Sequence, residues 1–348
     1  TSTDLPNPIP TKLLAAQRAI KAEILSATDQ LEASIACYRK AIELDPNNAR
    51  FIFQLGALLC DRKRDGDGAG ECFRRLIELV PNNQGNILFC MGNALMWKGD
   101  LDAALANYRK SIEHAPLFPF AHGNLGNALL EKGRYAEARE AYQRAIKLLP
   151  VGHPLHEAIK KSIEQSMRLE ELDGRFGELS TGQSETASAQ ESLDLATICR
   201  RKQMHAAAVS FAVSAFTADL QPGKDPKAGD RYTFARSAAL AASPSDKVAS
   251  TERSDLHKQA LEWLRADLAL LGEQIEAGPR NDRIMAQAML SHWQLTSDLA
   301  SIRDPEALAK LPVEEQAAFI KLWSDVAAAL AKRTPNKVEE TEPAIGDS

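Results

Sequence analysis

The chain has 348 residues, of which 44% are hydrophobic and 26% are charged, a composition typical of globular proteins with roughly two domains. A net charge of -5 and a pI near 5.9 argue against a nucleic-acid partner, because nucleic-acid-binding surfaces are normally basic. No apolar run approaches the ~20 residues that a membrane-spanning helix needs, so no membrane partner is expected either.

The beginning of the chain and its cysteines suggest a cellular location. The five cysteines form no CxxC pair, so neither a disulfide framework nor a zinc cluster is expected. Thiols at apolar positions suit a reducing compartment. No signal peptide is recognisable in the proline-interrupted opening, and we therefore expect a cytoplasmic location, with residues 1–14 as a disordered N-terminal segment.

Four prolines recur at near-constant spacing through the next part of the chain. Each proline ends a similar short sequence motif. The prolines are Pro46, Pro81, Pro116 and Pro150, and the intervals between them are 35, 35 and 34 residues. A fixed period of this length indicates helix–turn–helix repeats that stack on one another. Since one unit alone cannot bury its apolar face, the stacked units are expected to share a continuous core.

A small residue in the first helix and an aromatic residue in the second recur within these repeats. Gly92 and Tyr108 mark the third repeat, and Gly126 and Tyr142 mark the fourth. Small residues let two helix backbones approach closely, and the aromatic ring is expected to fill the gap between neighbouring repeats. The second repeat carries one extra residue, which we place in the turn around 65–68.

Residues 15–150 resemble tetratricopeptide (TPR) repeats. The phrases GNAL at 92–95 and 126–129, and YRKxIE at 38–43 and 108–113, are close to the family consensus. The resemblance implies an all-α, right-handed solenoid of four repeats. Together with an amphipathic capping helix over 154–173, the predicted solenoid spans residues 15–173.

The regular repeat pattern ends at Pro150. Residues 174–190 are rich in Gly, Ser, Thr and Gln and are predicted to be a linker. Residues 191–333 are predicted to form a second, degenerate TPR-like helical region, with tryptophans 263, 293 and 323 as core anchors. The acidic tail 334–348 is predicted to be disordered.

The second half also resembles the C-terminal TPR region of bacterial, eukaryotic-like serine/threonine protein kinases. The resemblance rests on LEWLRADLA at 261–269, DLAxIRDP at 298–305, LAKLP at 308–312 and GHPL at 152–155. It implies that a kinase domain precedes such a region. The chain itself contains no VAIK lysine, HRD loop or DFG motif.

No arrangement of residues for catalysis is recognisable. The histidines are scattered, His153 and His156 have no cysteine nearby, and nothing local supports a Ser-His-Asp or Cys-His group. We therefore expect no catalytic residues, no metal, no cofactor and no small-molecule substrate, and we predict that the chain is not an enzyme.

The TPR resemblance implies that the first helix of each repeat lines a concave groove. Carried over to this sequence, it gives a partner-binding set on repeats two to four: Arg50, Phe53, Asn86, Phe89, Asn93, Trp97, Phe120, Asn127 and Glu131. Asn93 and Asn127 occupy the same place in successive repeats, where an amide can bind the backbone of an extended peptide. Alternatively, they are consensus residues that serve helix packing.

The aromatic members of this set also have two interpretations, as binding hot spots or as ordinary core between repeats. TPR domains that clamp a C-terminal carboxylate carry a lysine where this chain has Phe89 and Gly123. That departure disfavours a chaperone-tail clamp.

The sequence thus predicts a protein–protein interaction scaffold that binds a protein or peptide partner in the groove. On the kinase resemblance, it would be the non-catalytic C-terminal region of a serine/threonine protein kinase. The alternative is a stand-alone TPR adaptor or co-chaperone with no kinase link. An enzyme with a catalytic second half is disfavoured, because residues 191–333 are rich in alanine and leucine, with charges spread over helix surfaces.

Overall fold

The computed structural model describes residues 10–81, 84–176, 188–218, 230–243 and 249–332. Every regular element within these ranges is helical, which confirms the predicted all-α class. The first half forms helices that pack in consecutive pairs: α1 Thr11–Ala27 with α2 Leu31–Leu44, α3 Ala49–Ala57 with α4 Gly66–Leu79, α5 Gln84–Lys98 with α6 Leu101–His114, and α7 Pro119–Glu131 with α8 Tyr135–Leu148.

Close contact between a glycine and an aromatic ring holds the third and fourth pairs together. Gly92 lies against the ring of Tyr108, and Gly126 lies against the ring of Tyr142. Both tyrosine rings are almost completely buried. The rings therefore pack against the glycines of the first helix in the same pair.

The extra residue of the second repeat lies in a helix and not, as we predicted, in the turn at 65–68. Helix α3 continues as a π-helical stretch, Leu58–Lys63, and Arg64 then adopts a left-handed backbone with φ 58°. A π-helix accommodates one additional residue without breaking the helix. Residues 66–68 form the first turn of α4, where the Asp65 side chain caps the helix by accepting from the backbone N–H of Gly68 at 2.9 Å.

The capping helix α9 runs from Leu155 to Gly174 and packs on α8. The second region then contains α10 Ala189–Arg201, α11 His205–Ala218, α12 Asp230–Ala241, α13 Ser250–Ala277, α14 Arg280–Leu295, α15 Ala300–Arg303, α16 Pro305–Leu308 and α17 Val313–Ala331. Its core includes Trp263 and Trp293, while Trp323 is partly buried against the same core and donates from Nε1 to the carbonyl of Ile302 at 2.7 Å.

Two predicted segment boundaries move. Helix α1 begins at Thr11, so residues 11–14 are helical and do not belong to a disordered segment over 1–14; the carbonyl of Pro10 accepts from the N–H groups of Leu13 and Leu14. Helix α10 begins at Ala189, inside the predicted linker 174–190, because the Ser188 hydroxyl caps it. Residues 1–9, 177–187 and 333–348 lie outside the described residues, so the rest of these segments and the tail 334–348 stay predictions.

The second region packs back onto the first. Helix α14 contacts the π-helical stretch 58–63. At the α1–α2 turn, the buried carboxylate of Asp29 lies within 3.3 Å of Arg62, 3.6 Å of Arg280 and 3.9 Å of Arg283. The two halves are therefore joined by direct contacts far apart in sequence, as well as by the chain between α9 and α10.

Candidate functional site

The predicted partner-binding residues follow the first helices of repeats two to four, on α3, α5 and α7. Their environments differ along each helix. Residues near the helix beginnings are open: Asn86 is exposed, Phe120 is 41% exposed, and the exposed Arg50 pairs with Glu23 at 2.9 Å. Asn127, in the second half of α7, is exposed as well. Residues near the helix ends contact the second region of the chain.

The two groove asparagines each bind a tyrosine of the same repeat. The hydroxyl of Tyr108 donates to Oδ1 of Asn93 at 2.9 Å, and that of Tyr142 donates to Oδ1 of Asn127 at 2.8 Å. Burial raises the pKa of Tyr142 to about 12, so the hydroxyl remains a donor at neutral pH. Since each Oδ1 is already engaged, the amide NH₂ is the group through which these asparagines can bind a peptide carbonyl.

Asn93 is held more firmly than Asn127. The half-buried Asn93 also accepts from Nδ2 of Asn124 in the next repeat at 2.8 Å. The exposed Asn127 has only the tyrosine bond among the hydrogen bonds of the described residues. The packing role therefore applies to both asparagines, and Asn127 is the one that is also open to a partner.

Aromatic rings form a row from the core to the surface across α5 and α7. Phe89 contacts Tyr108 at 6.1 Å and Phe118 at 5.0 Å between ring centroids, and Phe118 in turn contacts Phe120 at 5.5 Å. Phe120 ends the row against His153 at 6.4 Å. Phe53 is separate from this row and packs edge-on against Phe73 at 6.2 Å. Phe53 and Phe89 are thus partly core, whereas Phe120 is presented to solvent.

Phe120 and Asn127 line a cavity of about 170 Å³ between α7, α8 and α9, here called the α7–α9 pocket. One wall is apolar, with Leu155 38% exposed at its edge. The lining residues are Pro119, Phe120, Gly123, Asn124, Asn127, Tyr142, Leu149, Leu155, Ala158, Ile159 and Ser162. The pocket combines apolar side chains with amides and hydroxyls at one place on the surface.

The α9 residues of this pocket were missed at the sequence level. Leu155 and Ile159 belong to the amphipathic helix predicted over 154–173 as a cap of the solenoid, and they also contribute one wall of the pocket. The apolar stripe of α9 was the available signal, but only its position beside α7 reveals the second use.

Trp97, at the end of α5, is covered by the second region. Its ring lies 5.4 Å from the ring of His292 on α14, and the Arg64 guanidinium lies 3.8 Å from its centroid. His292 also packs edge-on against Tyr232 at 6.0 Å. Burial, together with the nearby charges of Arg236 and Arg64, lowers the pKa of His292 to about 4, so the imidazole is neutral at pH 7.

Glu131, at the end of α7, is paired within the chain. Its carboxylate contacts Arg200 at 2.7 Å and Arg201 at 3.4 Å, both at the end of α10. Burial opposes ionisation of Glu131, but the two guanidinium groups outweigh it and hold the pKa of Glu131 below its usual value. Trp97 and Glu131 thus bind the chain's own second region.

Within the described ranges, no three His, Cys, Asp or Glu side chains come together in a way that could hold a metal ion. No helix there combines the length and apolar character needed to cross a bilayer.

Comparison with known proteins identifies the repeats. Residues 91–153 match a family model described as "Tetratricopeptide repeat", and residues 23–60 match one described as "TPR repeat". The chain therefore contains TPR repeats in the region where α1–α8 form consecutive pairs.

Relatives match parts of the chain. The small glutamine-rich tetratricopeptide repeat-containing protein 2 of Mycosarcoma maydis is 30% identical over 155 residues, which are 44% of this chain and 34% of that protein. The protein O-mannosyl-transferase TMTC1 of Homo sapiens is 34% identical over 86 residues, 25% of this chain and 10% of that protein. The chain thus spans about a third of the first relative and a tenth of the second.

A solved structure resembles the chain over a longer stretch. The crystal structure of a tetratricopeptide repeat protein from Parabacteroides merdae covers 80% of this chain and 99% of its own, with 13% identity and a TM-score of 0.44.

Proposed function

We propose that this TPR-repeat chain is a non-catalytic protein-interaction scaffold that binds an extended peptide segment of its partner on the open part of the groove. The open part comprises Arg50, Asn86, Phe120 and Asn127 with the α7–α9 pocket. The observation that carries the proposal is the exposure of Phe120 and Leu155, 41% and 38%, at the edge of a pocket that also contains the Asn127 amide.

The chemistry of this pocket suits a peptide. An apolar cavity of about 150 Å³ is large enough for a benzene ring, so a pocket of this size can receive one aliphatic or aromatic side chain. The NH₂ group of Asn127 can donate to a main-chain carbonyl of the same peptide. Binding sites generally combine an apolar lining with a few polar groups that fix orientation.

The other predicted groove residues have supporting roles in this proposal. Phe53, Phe89 and Asn93 maintain the packing beneath the surface, since each is partly buried and contacts its neighbours. Trp97 and Glu131 hold the second region in place. The peptide therefore contacts the beginnings of α3, α5 and α7 together with Asn127, and not the full length of the groove.

Selection of short random peptides against the intact chain tests the proposal. Selected peptides are expected to carry an aliphatic or aromatic side chain, and Phe120→Ala with Asn127→Ala should weaken their binding about tenfold or more. Ile320→Ala is a matched control, because Ile320 is 52% exposed on the distant helix α17. If the selected peptides bind the Phe120→Ala, Asn127→Ala double variant as tightly as the Ile320→Ala control, the peptide-binding surface lies elsewhere.

The wider context is also a proposal. On the resemblance noted above, the scaffold would be the substrate-recruiting, C-terminal part of a cytoplasmic serine/threonine protein kinase. A stand-alone adaptor or co-chaperone is the second candidate, and the family matches favour it to the same degree, since a TPR alone does not specify its parent protein. The reading frame upstream of Thr1 distinguishes the two: a kinase domain in frame supports the first, and a stop codon the second.

A further inference from the structure

The first helix has an unusual distribution of side chains. Helix α1 buries three alanines, Ala15, Ala19 and Ala22, against the rest of the solenoid. Three of its five large apolar side chains are exposed instead, Leu13 at 53%, Ile20 at 56% and Ile24 at 59%, while Leu14 and Leu25 are half-buried. An amphipathic helix at a free surface ordinarily buries its large apolar residues and exposes polar ones.

These three exposed residues form one line. They are separated by seven and four residues, so at 3.6 residues per turn they fall within an arc of about 40°. The buried alanines occupy the opposite side of the helix. Leu13, Ile20 and Ile24, here called the α1 stripe, thus have the spacing with which one helix packs along another.

The later repeats show what covers the position equivalent to Ile24. The repeats can be aligned on their tyrosines, Tyr38, Tyr108 and Tyr142. The residues sixteen positions earlier, Ala22, Gly92 and Gly126, are then equivalent, and so are the residues two positions after those, Ile24, Ala94 and Ala128. Ala94 and Ala128 are fully buried. Gly66, on the second helix of the preceding repeat, lies so close to Ala94 that a side chain on it would collide with the Ala94 carbonyl. Ile24 occupies the equivalent place with no preceding helix in the described residues.

Charge indicates the kind of helix that fits. Exposed Lys12, Arg18 and Lys21 lie along α1, and none has an ion-pair partner among the described residues. The acidic residue of this helix, Glu23, is paired with Arg50 at 2.9 Å. A second copy of α1 would bring like charges together, whereas acidic side chains beside an apolar seam would complement them.

We propose that the α1 stripe is a second docking surface, which receives an acidic amphipathic helix of a partner protein in the position of a preceding repeat's second helix. The surface is separate from the α7–α9 pocket and does not depend on what binds there. A helix is favoured over a membrane surface because the stripe is one side chain wide, with exposed Gln17 and Glu23 among its neighbours.

Fluorescence anisotropy with the intact chain tests this proposal. The probe is a labelled synthetic amphipathic helix of about 20 residues with leucines in heptad spacing and glutamates on both flanks; the comparison probe has lysines in place of the glutamates. The glutamate helix should bind, and the lysine helix should bind at least about tenfold more weakly. Ile20→Ala with Ile24→Ala should weaken binding of the glutamate helix about tenfold or more, since two large apolar side chains are lost from the contact.

Two controls separate this surface from the rest of the molecule. Ile320→Ala and the Phe120→Ala, Asn127→Ala double variant should leave the affinity for the glutamate helix unchanged. Lys12→Glu with Arg18→Glu and Lys21→Glu should reverse the preference toward the lysine helix. All these side chains are exposed or partly exposed, so circular dichroism should give the same helical content for every variant.

Several results would overturn the proposal. One is equal binding of both probes, or binding of neither. Another is a dimer in sedimentation that Ile20→Ala and Ile24→Ala abolish, which would make a second copy the occupant. A third is binding to vesicles of anionic lipid with no affinity for the glutamate helix, which would make the stripe a membrane contact.

Discussion

At the scale of single residues, the repeats depend on glycines that no larger residue can replace. A Cβ on Gly126 would lie 2.6 Å from the Tyr142 ring, well inside van der Waals contact. Tyr142 is almost completely buried and is anchored through its hydroxyl to Asn127, which opposes any withdrawal of the ring. The close approach of α7 and α8 therefore requires glycine at position 126.

Gly126→Ala should destabilise the chain by about 1–3 kcal/mol, the usual effect of overpacking a well-packed core. Gly123→Ala is the matched control on the same helix, because its Cβ would meet nothing closer than Ala145 at 4.0 Å. There, the better helix propensity of alanine should leave stability unchanged or raise it by up to about 1 kcal/mol. Urea unfolding followed by circular dichroism measures both, and an equal loss in the two variants would contradict the packing argument.

His292 links the stability of the interface between the two halves to pH. Because its pKa is about 4 in the folded chain and near 6.5 when unfolded, the unfolded state binds the extra proton between these values. The neutral imidazole faces Trp97 and Tyr232, with Arg64 and Arg236 nearby and Asp298 partly offsetting their charge. The contribution of neutral His292 to the free energy of unfolding is thus complete above pH 6.5 and is lost as the pH falls toward 4.

We expect the free energy of unfolding to fall by about 2 kcal/mol between pH 7 and pH 5 through this one residue. His292→Gln should flatten that part of the pH profile relative to the wild type. Denaturant titrations at half-unit pH steps measure the difference. Parallel profiles for the wild type and His292→Gln would contradict the assignment.

At the scale of the helices, local pattern predicted most of what was found and missed what depends on neighbours. Proline spacing and the Gly–Tyr pairs predicted the paired helices, because each pair is specified within about 34 residues of sequence. The extra residue of repeat two was predicted in the wrong element, because a longer turn and a π-helical stretch at 58–63 give the same number of residues in the repeat.

The groove was only partly predictable for a similar reason. The consensus pattern predicts which side chains of α3, α5 and α7 line the groove, but it contains no information on what covers them. Trp97 meets His292, and Glu131 meets Arg200, across separations that no short-range pattern encodes. The α1 stripe shows the converse: a face that the repeat pattern would bury is open.

At the scale of the whole molecule, the two halves are joined where α10 packs on α9, with Ile198 buried against Leu169 and Leu172, and at three further places along the ends of the first helices. Asp29 meets three arginines, Trp97 packs between Arg64 and His292, and Glu131 pairs with Arg200 and Arg201. Two of the ties are ionic and largely buried, and the cost of removing such charges from water offsets much of their attraction. Among these three ties, the Trp97 contact is the one with substantial apolar area, so it should dominate the coupling between α14 and the ends of the first helices.

Trp97→Ala should therefore lower the free energy of unfolding by about 2–4 kcal/mol, somewhat less than the removal of a fully buried tryptophan. Hydrogen exchange would locate the effect: amides of α14 near His292 should lose protection, while those of α8, remote from this contact, should keep theirs. Phe120→Ala serves as the control, since it removes an aromatic residue that the second region does not cover. If α14 keeps its protection in Trp97→Ala while stability falls, the residue acts within the core of repeats two and three, and the other contacts between the halves hold them together without it.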